Sequence, residues 1–231
     1  MATEGLRERK KRRTRELIAT TAARLFAEHG YEQVSVLDVA AAAEVSEQTV
    51  YNYFPTKRAL VLDRDEDLRD QLTTLIANRP SGVSPAAAIR DIAVSMVEEL
   101  RTMSDTQVRG GLGYLSTRSP AVRRLALEMT DRHADAIAVV LADAPDKPAP
   151  PVAKVHAIAL AWVFQTITDE TGRGTAAGLS PAQLADSLAP TVAAIIDQLD
   201  AWPNDHTRST QRAQPHRRQS PASTTPRACL G

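Results

Sequence analysis

The chain has 231 residues, of which 43% are hydrophobic, 24% charged and 4% aromatic, and its 28 basic and 28 acidic side chains give a formal net charge of zero. Abundant alanine with few aromatic residues favours helices over sheets, and the length suffices for one or two domains. The single cysteine, Cys229, excludes an internal disulfide, and no stretch is apolar enough for a membrane span, so we expect a soluble cytoplasmic protein.

The N-terminus is basic, and the first predicted helix follows it. The basic side chains are Arg7, Arg9, Lys10, Lys11, Arg12, Arg13 and Arg15. We predict that residues 1–11 form a flexible arm, which is either simply solvated or in contact with DNA phosphates or the minor groove. Residues 12–29 carry an apolar stripe at helical spacing from Leu17 to Phe26, and Gly30 suits the position just after a helix.

Two short helices are predicted next. Ser35 and Asp38 have the spacing of a capping box, and apolar residues over 36–43 recur at helical spacing. Ser46 can cap a second helix, in which Val50 and Phe54 lie one turn apart on the inner face while the other side chains are polar or aromatic. Two such helices joined by a tight turn are typical of the helix-turn-helix that binds DNA in the major groove.

A family resemblance rests on these residues. The run DVAAAAEVSEQTVYNYFPTKRAL, beginning at Asp38, resembles the DNA-binding signature of the TetR family of one-component bacterial transcriptional regulators. The upstream AARLFAEHGY is similar to that family's first helix and turn, so that the likeness covers about residues 12–62. The sequence departs from the pattern at Glu44, where the family usually has Gly. If the turn requires a positive φ there, Glu44 costs about 1 kcal/mol.

The predicted DNA-binding residues lie on the outer face of the second short helix and just beyond it: Ser46, Glu47, Gln48, Thr49, Tyr51, Asn52, Tyr53 and Lys57. Gln48 and Asn52 can each bind adenine through two hydrogen bonds, and Glu47 can accept one from cytosine. The resemblance implies that the Thr, Tyr and Lys side chains of this set contact DNA, chiefly its phosphates. The alternatives are packing of Tyr51 against the first helix and a plain surface position for Lys57.

The rest of the chain predicts further helices. Three of them begin with Ser followed by Pro, which suits a cap and the first helical position. The predicted ranges are about 56–78, 85–103, 106–117 (short or broken), 120–142, 152–171 (apolar on more than one face) and 181–201. Pro190 is expected to kink the last helix. The Pro-, Ser- and Arg-rich residues 203–231 are predicted to be disordered.

The expected fold is therefore all-α, with about nine helices. A flexible arm (1–11), a three-helix DNA-binding domain (12–57), a helical ligand-binding and dimerisation domain (58–202) and a disordered tail (203–231) are the predicted segments. The resemblance implies a homodimer through helices about 152–171 and 181–201. It also implies a pocket for a small-molecule effector, with the candidates Met96, Leu100, Met103, Tyr114, Met129, His133, Trp162 and Thr166. Core packing is the alternative for each, and exposure on a helix surface is the alternative for His133.

The function that the sequence favours is transcriptional regulation. A two-fold dimer presents two DNA-binding helices to the half-sites of a palindromic operator, from which an effector would release a repressor. The alternative is an effector-independent DNA-binding or architectural protein, which a solid core without a cavity would favour. An enzyme is disfavoured because the sequence has no catalytic motif, no Gly-rich phosphate loop and no metal-ligand spacing, and no cofactor or metal is expected.

Overall fold

A computed structural model describes residues 5–144 and 149–211 of the chain, and for residues 202–211 it describes the backbone only. Every regular element in these ranges is helical, and no helix there is long and apolar enough to span a membrane. The helices are α1 (Leu6–His29), α2 (Val36–Ala42), α3 (Glu47–Tyr53), α4 (Lys57–Val61), α5 (Asp65–Ala77), α6 (Pro85–Ala88), α7 (Arg90–Glu99), α8 (Asp105–Gly110), α9 (Leu112–Arg118), α10 (Pro120–Ala142), α11 (Pro150–Ala176) and α12 (Pro181–Gln211).

The described ranges hold twelve α-helices where about nine helices were predicted, because three of the predicted helices are interrupted. The predicted 56–78 helix is divided into α4 and α5, 85–103 into α6 and α7, and 106–117 into α8 and α9. A short 3₁₀ turn, Leu100–Thr102, follows α7. The predicted boundaries of α10 are confirmed. The all-helical prediction is confirmed for the described part of the chain.

The predicted start of the first helix and the predicted end of the last helix are both wrong. α1 begins at Leu6, so most of the predicted flexible arm is helix, because the long basic side chains of residues 7–13 are good helix formers and cost little where they are exposed. α12 continues to Gln211, past the predicted end near 201, since adding a residue to an anchored helix costs far less than starting one. It also runs unbroken through Pro190. The predicted tail beyond Gln211 lies outside the described residues.

α1 to α4 form an N-terminal head with its own apolar cluster. Ile18, Ala22 and Phe26 of α1 are buried against Val50 and Phe54 at the α3 end of the cluster. Leu17 was predicted on the same stripe but is half exposed, so the buried face of α1 is narrower than the apolar stripe predicted from the sequence. The cluster continues into α9 and α10 through Leu115 and Val122, so the head is packed on the rest of the molecule.

The larger core is built around α11. Leu160 and Phe164 of α11 are fully buried among residues of α5, α7, α10 and α12. A buried polar chain also joins α10 to α11: the Thr130 hydroxyl donates to Gln165 Oε1 over 2.6 Å, and Gln165 Nε2 donates to Asp169 Oδ1 over 2.6 Å. Because its amide is hydrogen-bonded, Gln165 is accommodated with no exposure.

Glycine allows α8 to lie directly on the head. A Cβ added to Gly110 would lie 2.1 Å from the carbonyl oxygen of Ala23 in α1, a distance that no side chain tolerates. The predicted break between α8 and α9 falls at Gly111, which leaves the helical conformation with φ −81° and ψ 161°. The glycine-rich stretch therefore brings the backbone of the larger domain into contact with the first helix of the head.

Candidate nucleic-acid interface

α2 begins at the predicted capping box. The Asp38 backbone N–H donates to Ser35 Oγ over 3.1 Å, and the Ser35 backbone N–H donates to Asp38 Oδ2 over 2.7 Å. Hydrogen bonds from the Ser35 side chain and backbone hold the pKa of Asp38 below its ordinary value. Both reciprocal bonds of the box are present, so the prediction from two residues three apart is confirmed.

The turn between α2 and α3 imposes a left-handed residue. Glu44 has φ +55°, and its backbone N–H donates to the Ala41 carbonyl over 3.2 Å, while the Val45 N–H donates to the Ala40 carbonyl over 3.0 Å. This pair of bonds is a Schellman motif, which usually places Gly at the Glu44 position. The sequence left open whether this turn requires a positive φ; the structure shows that it does, and the cost of a residue with a Cβ is about 1 kcal/mol.

α3 has an anchored side and a free side. Ser46 caps it by accepting the Thr49 backbone N–H over 3.1 Å. On the inner side Val50 is 0% and Phe54 1% exposed, as predicted. On the outer side Gln48 Nε2 donates to Asn52 Oδ1 over 3.1 Å, so the two amides one turn apart form a single polar surface. This pair leaves the Gln48 carbonyl and the Asn52 amino group free to meet base edges.

The other predicted DNA-binding residues differ in how accessible they are. Ser46 and Glu47 are exposed, Thr49 and Tyr53 are half-buried, and Tyr51 is 40% exposed. At 40% exposure Tyr51 is partly covered by the head and partly accessible, so the DNA contact and the alternative of packing against the first helix both stay predictions. The six outer side chains of α3 remain predictions as DNA contacts.

Lys57 is held by the head rather than free in solvent. Its Nζ donates to the Glu32 carbonyl over 3.4 Å and lies 4.3 Å from the centre of the Tyr31 ring. Partial burial lowers the pKa of Lys57, although the nearby carboxylate of Glu32 acts in the opposite direction. At 3.4 Å the hydrogen bond is long, so it holds the ammonium only weakly. Its role as a phosphate contact stays a prediction.

Sequence reasoning missed Arg15 as the residue that holds α3 in place. Its Nη1 donates to the Tyr53 carbonyl over 3.2 Å, its Nη2 to the Asp63 carbonyl over 2.9 Å, and its guanidinium stacks 4.6 Å from the centre of the Phe54 ring. It also pairs with the Asp63 carboxylate at 2.6 Å. Burial raises the pKa of Asp63, and Arg15 partly offsets this. The only signal in the sequence was one more cation in a basic run.

The break between α4 and α5 falls beside this residue, and it corrects the predicted continuous 56–78 helix. Three acidic residues, Asp65 to Asp67, occupy the first turn of α5, where negative charge is stabilised by the helix dipole. The interruption leaves the Asp63 carbonyl free to accept from Arg15. The sequence pattern predicted one helix here, and these acids were not recognised as the mark of a new helix start.

The predicted effector-pocket residues differ in burial and in whether they line the groove between α5 and α7. Met96 alone among the eight lines a groove of about 890 Å³ between α5 and α7. Leu100 and Met129 are buried, Met103, Tyr114 and Thr166 are half-buried, and the Thr166 hydroxyl donates to the Trp162 carbonyl over 2.8 Å. Trp162 is 41% exposed on α11, and its place in an effector pocket stays a prediction.

His133 is neither exposed nor at the groove. It is 1% exposed, and its Nε2 lies 2.8 Å from Asp65 Oδ1, while Arg132 Nη2 lies 2.5 Å from the other oxygen of the same carboxylate. Burial alone would raise the pKa of Asp65, but the bonds from His133 and Arg132 outweigh it and hold that pKa below its ordinary value. α10 is thus fixed to the first residue of α5.

α11 carries an apolar surface on its exposed side. Val155, Ile158 and Trp162 follow one another at helical spacing and are each 38–53% exposed. α12 covers another part of the core, and Arg101 binds it through Asp186 at 2.8 Å. An apolar strip on a helix that is already packed on its other side is typical of a subunit interface.

The comparisons with known proteins agree with this head. Residues 18–63 match the family described as bacterial regulatory proteins, tetR family. The HTH-type transcriptional regulator TcmR of Streptomyces glaucescens is 34% identical over 85 residues, which are 37% of this chain and 38% of that protein. The uncharacterized HTH-type regulator YuxN of Bacillus subtilis (strain 168) is 30% identical over 126 residues, 52% of this chain and 43% of its own. The chain thus spans less than half the length of these relatives.

The fold extends the likeness beyond the head. NalD, the secondary repressor of the MexAB-OprM multidrug efflux pump in Pseudomonas aeruginosa, superposes with a TM-score of 0.50 at 18% identity over 78% of this chain and 96% of its own. A protein from Syntrophomonas wolfei described as a TetR-family regulator has a TM-score of 0.51 at 16% identity over 80% of this chain and 96% of its own. At these identities the likeness concerns the fold alone. It agrees with the predicted helix-turn-helix domain followed by a helical domain.

Proposed function

We propose that this chain, a member of the TetR family of bacterial regulatory proteins, is a transcriptional repressor that leaves a palindromic operator when a small-molecule effector binds. The observation that carries the proposal is the division of α3 into two sides. Val50 and Phe54 are buried, while Gln48 and Asn52 are exposed and hydrogen-bonded to each other. A helix anchored on its apolar side and free on an amide-bearing side is suited to insertion into the major groove.

Dimerisation is required by the small size of the head. One α3 of seven residues reaches few base pairs, and a two-fold dimer doubles the site, with half-sites about one helical turn or a multiple of it apart. The exposed apolar strip of α11 supports a homodimer in which α11 and α12 of each subunit form the interface. The protein would then act in the cytoplasm, and at the nucleoid when bound to its operator.

The connection between head and larger domain supports control by an effector. Asp63 is held by Arg15 of the head, and Asp65 is held by His133 of α10. The two carboxylates are separated by one residue, so a shift of α5 relative to α10 is transmitted to α3 through Arg15. An effector that binds one arrangement of this junction better than the other by about 1–3 kcal/mol would change DNA affinity by the same amount.

Selection of bound duplexes from a random pool tests DNA recognition, and substitutions in the head test the roles of its residues. We expect the enriched duplexes to be near-palindromes. Asn52→Ala should relax the preference at one base pair per half-site by about 1–3 kcal/mol, whereas Lys57→Ala should weaken binding to all duplexes alike. Asn78→Ala, an exposed amide at the end of α5, is the matched control. Equal effects of Asn52→Ala and Lys57→Ala on every duplex would contradict the division of roles.

The alternative, an effector-independent DNA-binding protein, makes a different prediction for the same assay. Its binding to the selected duplex would be unchanged across a metabolite panel. The groove between α5 and α7 supports the effector-dependent function, because it offers a small molecule a concave surface beside the junction.

A further inference from the structure

We propose that the groove between α5 and α7 binds an amphipathic organic cation, a molecule with one positive group on an apolar body. This inference rests on the proposed function, since it names the chemical class of the effector. It goes beyond that function because it assigns a site for the effector, and Met96 is the one predicted pocket residue that lines this site. The groove is defined by its lining: Arg64, Asp67, Leu68, Asp70, Gln71, Thr74 and Leu75 on the α5 side, and Asp91, Ile92, Ser95, Met96 and Glu99 on the α7 side.

The groove has the size and the apolar surface of a small-molecule site. The groove is open, since most of its lining residues are exposed, and its volume of about 890 Å³ lets a small molecule lie along it with one face in solvent. Leu68 and Leu75 on one side face Ile92 and Met96 on the other, so an apolar body inserted between the helices would contact both. Met96 has an unbranched, polarizable side chain that adapts to ligands of different shape.

The charge of the lining selects the sign of the ligand. Four carboxylates, those of Asp67, Asp70, Asp91 and Glu99, stand against the single guanidinium of Arg64, which leaves three negative charges. A concave surface lined by one sign of charge concentrates ions of the opposite sign and repels those of the same sign. The groove therefore favours a cation and disfavours an anion of equal shape.

Two of the four carboxylates are available to a ligand. Arg64 Nη1 pairs with Glu99 Oε2 at 3.1 Å, and Arg69 Nη2 pairs with Asp70 Oδ1 at 3.1 Å. Among the side chains that the structure describes, no Lys, Arg or His forms an ion pair with Asp67 or Asp91. These two carboxylates are exposed and lie on opposite helices of the groove, so one cationic group can be attracted by both.

A bare metal ion is a poorer occupant than an organic cation. Among the described residues no group of three or more His, Cys, Asp or Glu side chains is arranged to hold a metal. Divalent ions need several oxygen ligands in a compact shell, whereas this lining combines its carboxylates with apolar side chains. The same residues would stabilise the hydrocarbon part of an organic cation, so the mixed lining fits one class of ligand.

The position of the groove connects it to the DNA-binding head. Arg64 lies between Asp63, which Arg15 of the head holds, and Asp65, which His133 holds. A cationic ligand would compete with Arg64 for Glu99 and so weaken a contact between α7 and the residue that precedes α5. The ligand would therefore act on the junction through which the head is positioned.

A pair of ions with the same shape and opposite charge tests the inference. Tetraphenylphosphonium and tetraphenylborate are titrated by calorimetry into the full chain without DNA. We expect saturable binding of the phosphonium and binding of the borate that is weaker by tenfold or more. Asp67→Asn and Asp91→Asn should each weaken phosphonium binding by about fivefold, and added salt should weaken it further. Glu66→Gln is the matched control, because it removes the same charge one residue away from the groove lining.

The possible results separate the groove from the proposed function. Equal affinity for both ions, or equal losses in Glu66→Gln and Asp67→Asn, would overturn the assignment of the site. Binding that develops only after residues 212–231 are deleted would mean that the arginine-bearing terminus of the chain fills the groove, which would also overturn it. If the phosphonium binds as expected but the ligand-free chain selects no duplex, the site stands and the proposed function fails. If duplexes are selected but the phosphonium does not bind, only the site fails.

Discussion

Replacing Glu44 by Gly should stabilise the protein, because Glu44 is the one non-glycine residue with a positive φ in the described part of the chain. A residue with a Cβ in the left-handed region costs about 1–2 kcal/mol relative to Gly. The Glu44 carboxylate also lies just after α2, where the helix dipole disfavours negative charge by about 0.3 kcal/mol. Against these gains, Gly increases the entropy of the unfolded chain by about 0.5–1 kcal/mol. The net expectation for Glu44→Gly is a gain of about 1 kcal/mol in the free energy of unfolding.

Urea unfolding of three variants separates strain from charge. Glu44→Ala removes the charge and keeps the strained backbone, so its gain should not exceed about 0.3 kcal/mol. Ala42→Gly places Gly two residues earlier, at an exposed position inside α2, and should cost about 0.5–1 kcal/mol. The reasoning is refuted if Glu44→Ala stabilises as much as Glu44→Gly, or if both glycine variants are destabilised equally.

Three other predictions concern the packing, the pH dependence and the assembly. Gly110→Ala should cost about 3 kcal/mol in urea unfolding because its Cβ meets the backbone of α1, whereas Gly111→Ala, whose Cβ would be 3.3 Å from the nearest atom, should cost under about 1 kcal/mol. The pKa of Asp65 is lowered in the folded state, so the Asp65 carboxylate stabilises the protein above its unfolded pKa of about 3.9, and this stabilisation is lost as pH falls through the folded pKa. The difference in the free energy of unfolding between the wild type and Asp65→Asn should therefore shrink below about pH 4. A difference that does not change with pH would contradict this. Trp162→Lys should convert a dimer into monomers in sedimentation. Val139→Lys is the control, because Val139 is also apolar and is more exposed but lies on α10, and this variant should remain dimeric. A dimer in both variants would show that α11 is not the interface.

The helix-turn-helix could be predicted from the sequence because its signals are local. The capping box at Ser35, the cap at Ser46 and the spacing of Val50 and Phe54 involve residues no more than four apart, and short-range hydrogen bonds and one-turn contacts are the same in any helical protein. The family resemblance drew attention to position 44, and the structure shows the positive φ there.

Only the tertiary structure decided the surroundings of the candidate ligand site. His133 is buried because its partner Asp65 is 68 residues away in the chain, and Arg15 supports α3 through partners 38 and 48 residues away. The groove likewise depends on how α5 and α7 lie side by side. Helical spacing says which side chains share a face of one helix, but not which face meets another helix. That choice, which also left Trp162 outside the core, is made by packing between segments distant in sequence.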